Sequence, residues 1–287
     1  MQQFHAKQFD GPNEYPYTRA DFDAISSMVH AHAGICMPDS KAMLIYSRLT
    51  KLLREKGIAT FADYVDHIRT DAPERGRAIE ALTTNHTKFF RENHHFEHFE
   101  HDVRGPLIKR LQSGDKVRIW SSASSSGEEI YSLAMVLLGT DKTEARRICE
   151  SDLALLGTDL AGHVLKAAEA GYYPGHSDED IPDRYARLWT KRDASGMTIA
   201  KPIRDLVRFR KLNLLNAWPI KGLFDVIFCR NVMIYFDEPT KELLLRRLAD
   251  QLAPGGFLYI GHSERLIGES AAKFSPMGQT IYRKDRV

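Results

Sequence analysis

Apolar positions along this chain follow two periods, and the change between them falls near residue 103. From Thr18 to about Ala81 the apolar residues recur at helical spacing. Phe22, Ile25 and Val29 lie on one face of a helix that Thr18 is placed to cap. Pro38-Asp39-Ser40 opens a second helix running to Lys56, with Gly57 where a helix end favours glycine. Thr60-Phe61-Ala62-Asp63-Tyr64 opens a third, and Glu74 to Leu82 reads as a fourth. No strand pattern interrupts them, so a small all-helical domain is expected over residues 18–82. Residues 1–17 hold Gly11-Pro12-Asn13 and Tyr15-Pro16-Tyr17, breakers without a period, and read as a loose leader.

Beyond Val103 strands enter. Val117-Arg118-Ile119-Trp120 runs into Ser121-Ser122-Ala123-Ser124-Ser125-Ser126-Gly127 and then a helical stretch from Glu128 to Leu138. Leu155 to Asp159 is followed by a helix from Ala161 to Ala170. Phe224 to Cys229 is followed by one from Glu238 to Leu252, which Pro254-Gly255-Gly256 ends before a strand at Phe257 to Ile260. Strands alternating with helices predict parallel βαβ units with right-handed crossovers. Phe274 to Tyr282 reads as a closing strand-loop-strand. Between Gly171 and Arg210 the alternation fails, and Met197-Thr198-Ile199 and Leu206 to Phe209 look like short hairpin strands of an insertion over residues 172–210. The expected order is therefore the helical domain, a linker and lid helix at 83–104, and an α/β domain at 105–287.

Charge and cysteine content narrow the class. The 40 Lys+Arg against 38 Asp+Glu leave a net +2, too little cationic excess for a protein that coats nucleic acid. With 43% hydrophobic residues the chain can bury a core. It holds no run of about 18 apolar residues to cross a bilayer, and its first residues lack the apolar stretch of a secretory signal. Cys36, Cys149 and Cys229 are an odd number without a C-x-x-C pair, which points to a reduced cytoplasm and no membrane insertion.

Candidate chemistry gathers at the carboxyl ends of the expected strands, where open parallel sheets bind ligands. The small residues Ser121 to Gly127 let backbone approach a mononucleotide-like ligand, although neither G-x-G-x-x-G nor a P-loop is present. A flexible serine loop is the plainer reading. Asp159 stands where an acid binds ribose hydroxyls, and equally where a residue caps the next helix. Asn213 offers an amide to an adenine edge. Arg230, Asn231 and Tyr235 follow the most apolar strand of the chain, and Asn85, Thr87 and Arg91 bridge the two domains as lid residues.

Together these segments closely resemble the chemotaxis receptor methyltransferases (CheR-type, S-adenosylmethionine-dependent protein-glutamate methyltransferases). The resemblance rests on Thr84-Asn85-x-Thr87-x-Phe89-Phe90-Arg91-Glu92, on Trp120-Ser121-x-Ala123-Ser124-Ser125-Ser126-Gly127-Glu128-Glu129-x-Tyr131-Ser132, and on Asp225-x-Ile227-Phe228-Cys229-Arg230-Asn231-Val232-Met233-Ile234-Tyr235-Phe236-Asp237. Gly261-His262-Ser263-Glu264 and Gly278-Gln279-Thr280-x-Tyr282 continue it, from about residue 18 to 283. It implies a helical N-terminal domain on a Rossmann-like methyltransferase domain with a small inserted β-subdomain. It implies cofactor contacts from Asn85, Thr87, Arg91, Glu129, Asp159, Asn213, Leu214, Arg230 and Asn231, with Glu128 an adjacent candidate, and places Tyr235 facing the transferred methyl. Arg91 and Tyr235 are the expected catalytic residues.

The implied reaction moves a methyl from S-adenosylmethionine to a receptor glutamate, leaving S-adenosylhomocysteine and a methyl ester, with no metal. Lys41, Arg48, Lys51 and Arg54 fall within about 140° of one another on the second helix. They read as an ordinary solvated face or, with the resemblance, as a docking surface for the cytoplasmic helices of a chemoreceptor. A receptor C-terminal peptide on the β-subdomain is a further expectation, as is a monomer. Three other readings compete: a methyltransferase for a small molecule or nucleic acid, a non-catalytic cofactor sensor, and a zinc peptidase suggested by His94-His95-Phe96-Glu97-His98. For that histidine cluster a surface or hinge role is the plainer reading.

Overall fold

The computed structural model describes residues 14–175 and 180–286. Residues 1–13 of the expected leader and 176–179 of the expected insertion lie outside the described residues. The chain divides into two compact units, one reaching to Thr84 and including Tyr235–Thr240, the other holding Asn85–Ile234 and the chain from Lys241 onward.

The first unit is helical: α1 (Arg19–Ala33), α2 (Ala42–Lys56), α3 (Phe61–Thr70) and α4 (Ala72–Leu82). Its boundaries are set by capping chemistry. Thr18 accepts the Asp21 N–H while Asp21 accepts the Thr18 N–H, a reciprocal box. Thr60 and Asp71 cap α3 and α4, their side chains accepting the N–H groups of Asp63 and Glu74. Gly34 and Gly57 end α1 and α2 in the left-handed region, at φ 68° and 67°. Phe22, Ile25, Ile45, Leu49, Leu53, Phe61 and Ile68 form the buried interior. A single antiparallel bridge, Ile35 to Phe236, brings the later segment into this unit, and the Cys36 N–H donates to the Tyr235 carbonyl at 2.8 Å.

The second unit opens with a continuous helical run: α5 (His94–His98), a π turn (Phe99–Val103) and α6 (Arg104–Gln112). There follow β1 (Val117–Ser121), α7 (Glu128–Leu138), α8 (Lys142–Cys149), β2 (Leu153–Asp159), α9 (Gly162–Ala170), β3 (Tyr172–Pro174), α10 (Asp183–Trp189), β4 (Thr190–Arg192), β5 (Gly196–Ile199), α11 (Lys201–Leu206) and β6 (Val207–Lys211). The chain closes with β7 (Phe224–Cys229), α12 (Glu238–Gln251, whose first turn belongs to the other unit), β8 (Leu252–Ile260), β9 (Phe274–Gly278) and β10 (Ile281–Lys284). The large sheet runs β6-β2-β1-β7-β8-β10-β9. Its first five strands are parallel, and β10 and β9 add an antiparallel edge. Every residue of α7 is buried, the apolar run 133–138 in the core and the polar Glu128, Glu129 and Ser132 with hydrogen-bond partners.

One expectation is corrected here. Leu206 to Phe209 does not form a hairpin strand. Val207 to Lys211 is the parallel edge β6, in register with Leu155 to Asp159 of β2. Val207 and Phe209 are buried and Arg208 and Arg210 exposed, an alternation common to any half-covered edge strand. The small antiparallel sheet, β3-β5-β4, ends at Ile199.

Candidate functional site

From β1 the chain winds outward to β2 and β6, while β7 lies on the other side of β1. Such a reversal of strand order opens a crevice at the carboxyl ends of the two central strands. The loop after β1 is fixed from both sides: the Ser122 N–H donates to the Phe228 carbonyl and the Ser124 N–H to the Thr158 carbonyl, each at 2.8 Å. Thr158 also takes the Trp120 indole N–H and gives its hydroxyl to the Ser122 carbonyl, both at 2.9 Å. Asp159, 8% exposed, closes the turn by accepting the Ser125 N–H (2.9 Å) and the Ala161 N–H (3.0 Å). Burial pushes its carboxyl up, against those backbone donors. A Cβ on Gly157 would lie 2.7 Å from the Phe209 ring, so glycine is what lets that ring lie over β2 there.

Beside this loop lies a buried charge network. The Arg230 guanidinium, 1% exposed, reaches Glu129 Oε2 at 2.9 Å and Glu92 Oε2 at 3.2 Å, and donates to the Arg91 carbonyl. Glu129 takes the Ser121 hydroxyl on its other oxygen at 2.7 Å. Burial raises the Glu129 carboxyl while Arg230 and Ser121 hold it down. Glu92 also accepts the Asn231 amide (3.2 Å) and, from His262, both the ring Nδ1–H and the backbone N–H (2.9 and 3.1 Å). Burial raises its carboxyl, but the Arg230 charge and these donors outweigh that and bring it down to about 2. Phe90, Glu92, Ser125 and Asn231 all adopt positive φ, between 48° and 58°, without being glycine. Strain of that kind costs about 1–3 kcal/mol per residue and collects where surrounding structure enforces it for function.

Of the residues singled out from the sequence, Asn85, Arg91, Glu129, Asp159, Arg230 and Asn231 share this hydrogen-bonded assembly. Asn85 enters through its carbonyl, which accepts the Ser125 hydroxyl at 2.8 Å. The Arg91 side chain turns to the His86 carbonyl at 3.0 Å. Thr87 is half-buried in the same segment. The Leu212 N–H donates to the Asp159 carbonyl at 2.9 Å, which sets the following turn, with Asn213 and Leu214, beside Asp159. The Glu128 carboxylate takes the Ser126 hydroxyl. Tyr235 belongs with the helical unit.

Among the basic residues, Lys41 and Lys51 are exposed and Arg54 pairs with Glu14 at 2.7 Å. Arg48 instead donates to the carbonyls of Ala81, Leu82 and Thr83, neutralising the end of α4. The histidines of the H-x-x-E-H pattern do not come together at metal-ligand spacing among the described residues. His95 Nε2 meets the Thr280 hydroxyl and His98 Nδ1 the Tyr259 hydroxyl, at 2.9 and 2.8 Å. Among the described residues the one trio with metal-ligand spacing is His30, Cys36 and Asp237, in the helical unit. Asp237 is engaged there, capping Thr240 through one oxygen and meeting His30 with the other.

Pattern reading gave no role to Glu92, His262 or Glu264. They stand inside recognisable motifs, but the fold alone brings them to Arg230 and Asn231.

Comparison with known proteins decides the lineage. Residues 20–83 match the family described as CheR methyltransferase, all-alpha domain, and residues 85–283 match CheR methyltransferase, SAM binding domain. The chain belongs to the CheR methyltransferase family. A probable chemotaxis protein methyltransferase of Rhizobium etli is 41% identical over 262 residues, 89% of this chain and 96% of that one. Chemotaxis protein methyltransferase 2 of Pseudomonas aeruginosa is 40% identical over 278 residues, 95% of each. The Escherichia coli chemotaxis protein methyltransferase is 36% identical, covering 92% of this chain and 90% of its own.

As a CheR methyltransferase the chain uses S-adenosylmethionine, and the donors in the crevice fit that molecule. The buried Ser124 hydroxyl and Arg230 Nε have no hydrogen-bond partner among the described residues. The Asp159 carboxylate faces three backbone N–H groups, those of Ser125, Leu160 and Ala161, and its two oxygens, with about four acceptor sites, keep capacity for a hydroxyl.

Proposed function

We propose that this methyltransferase esterifies glutamate side chains on the cytoplasmic helices of chemoreceptors, acting in the cytoplasm as part of adaptation in chemotaxis-type signalling. The observation that carries the reading is the ordered match of both CheR domains across nearly the whole chain. Bound at the β1–β7 crevice, S-adenosylmethionine supplies an electrophilic methyl on a positively charged sulfur. Asp159 and Glu129 take the sugar hydroxyls in this reading, and Asn213 and Leu214 the base. Asn85, Thr87, Arg91, Arg230 and Asn231 line the remainder.

The acceptor asks little of the protein in acid–base terms. A glutamate carboxylate is ionised at neutral pH, its ordinary pKa being about 4.3, so no strong base is needed. Alignment and exclusion of water supply the rate. The opposite charges of sulfonium and carboxylate disappear as the methyl moves, so a tight cationic clamp on the carboxylate would oppose transfer. Arg91 and Tyr235 therefore position the acceptor rather than hold it hard. Lys41, Lys51 and Arg54 form the docking surface for acidic receptor helices, with Arg48 holding the helix that carries them. The β3-β5-β4 sheet is the place for a receptor C-terminal peptide.

The test is methyl transfer to purified receptor cytoplasmic fragments, read as a base-labile product, beside calorimetry with S-adenosylhomocysteine. Ester formation on glutamates is the expected result. Label appearing only in base-stable linkages, or on a small molecule or nucleic acid, overturns the reading.

A further inference from the structure

The Gly261-His262-Ser263-Glu264 motif has no part in the contacts proposed for the cofactor. Its glutamate is nevertheless built into the turn after β7. Glu264 is 5% exposed. Its Oε2 accepts the N–H groups of Gly261 (2.6 Å) and Asn231 (3.1 Å), and its Oε1 accepts that of Met233 (2.8 Å). The Ile234 N–H faces the same carboxylate. A carboxylate with backbone donors arranged around it is an anion nest, here filled by a side chain of the protein itself.

That arrangement imposes a shape. Asn231 stands at φ 57°, so its N–H turns inward toward Glu264. A Cβ on Gly261 would lie 2.5 Å from the Asn231 amide nitrogen and 2.8 Å from its backbone nitrogen, so glycine is what allows the two loops to meet. On its other side the Asn231 side chain donates to Glu92, which also holds Arg230 and both donors of His262. Asn231 is thus gripped by two carboxylates, through its main chain by Glu264 and through its side chain by Glu92.

We infer that Glu264 is the positioning residue for the Arg230-Asn231 turn, fixing by its backbone contacts the geometry in which that turn meets the cofactor. The inference rests on the proposed place of Arg230 and Asn231 in the cofactor site. Glu264→Gln keeps the size but replaces one acceptor oxygen with an NH2 that opposes the backbone donors. In the full chain it should weaken S-adenosylhomocysteine binding about tenfold in calorimetry while the melting transition stays cooperative. A purely structural role would move the melting point alone.

Coupling separates the two roles further. Glycine reaches positive φ without help, so in an Asn231→Gly background the same Glu264→Gln change should weaken binding by no more than about threefold. Equal losses in both backgrounds, or parent-like affinity in Glu264→Gln, overturn the inference. Should Glu264→Gln not fold, Glu264→Asp, which keeps the charge but shortens its reach, is read by the same comparison, with the same outcomes for and against. If the parent protein itself fails to bind S-adenosylhomocysteine, the cofactor reading falls and this inference with it. A parent that binds beside a variant that binds equally well rejects Glu264 alone.

Discussion

Arg230 shows how one side chain can serve both stability and a binding site. Its guanidinium is almost fully buried between Glu129 and Glu92. Removing one member of such a set strands the others without their counter-charge, which costs about 3–5 kcal/mol. Arg230→Met should therefore lower unfolding free energy by about that amount in urea titration, and more than Arg91→Met, whose guanidinium rests on a single carbonyl. Tyr235→Phe makes the opposite case: it should reduce turnover on a receptor fragment about tenfold or more while leaving cofactor affinity within about twofold. A parent-like rate would remove Tyr235 from the proposed chemistry. The place of Asp159 was legible because it stands both at a strand end and before a helix, and its carboxylate accepts the N–H groups of Ser125 and Ala161. Glu92 and Glu264 were opaque because their partners lie on other segments, and no local spacing encodes that meeting.

At the scale of elements, helix ends were legible because capping is local chemistry. Thr18, Thr60, Gly34 and Gly57 each act within four residues. The strand-loop-helix from Val117 to Leu138 was legible too, since a helix with the unbroken apolar run 133–138, following a β-branched strand, has few other destinations. β6 was misread because period-two alternation states only that one face is covered and does not name the neighbouring strand. The contacts of Arg48 with the end of α4 were invisible on a wheel that showed α2 alone. The docking surface gives the matching prediction. Reversing Lys51 and Arg54 to Glu should raise the apparent KM for receptor fragments severalfold, more at low salt than at high. Arg48→Ala should instead lower the melting temperature by a few degrees, because it leaves three carbonyls at the end of α4 without their donor. An unchanged KM in the double reversal would move docking to another surface.

For the whole molecule, His95 and Glu92 both contribute to the response to acid. Burial, with the Arg230 and His94 charges, holds the His95 imidazole neutral, its pKa lowered from 6.5 to about 3. Below pH 6.5 the unfolded chain takes up this proton and the folded chain does not. Stability therefore falls from about pH 6.5 toward 3, by up to about 1.4 kcal/mol per unit. Glu92, lowered to about 2, contributes stability above about pH 4.5 that is lost as pH falls toward 2. The two act in sequence and in the same direction. His95→Gln, which keeps a polar partner for Thr280, should flatten the upper part of the curve between pH 6.5 and 4.5 in chemical unfolding; an unaltered slope would mean that His95 is already charged in the native protein.

The rims of the large sheet carry a consequence of their own. A strand at a margin displays bare N–H and C=O groups that another polypeptide can copy. Here one margin, β6, holds Arg208, Arg210 and Lys211 toward solvent, and the other, β9, contains Pro276, which has no N–H to offer. Cationic repulsion opposes such copying along one side of this sheet, and a missing donor interrupts the ladder along the other.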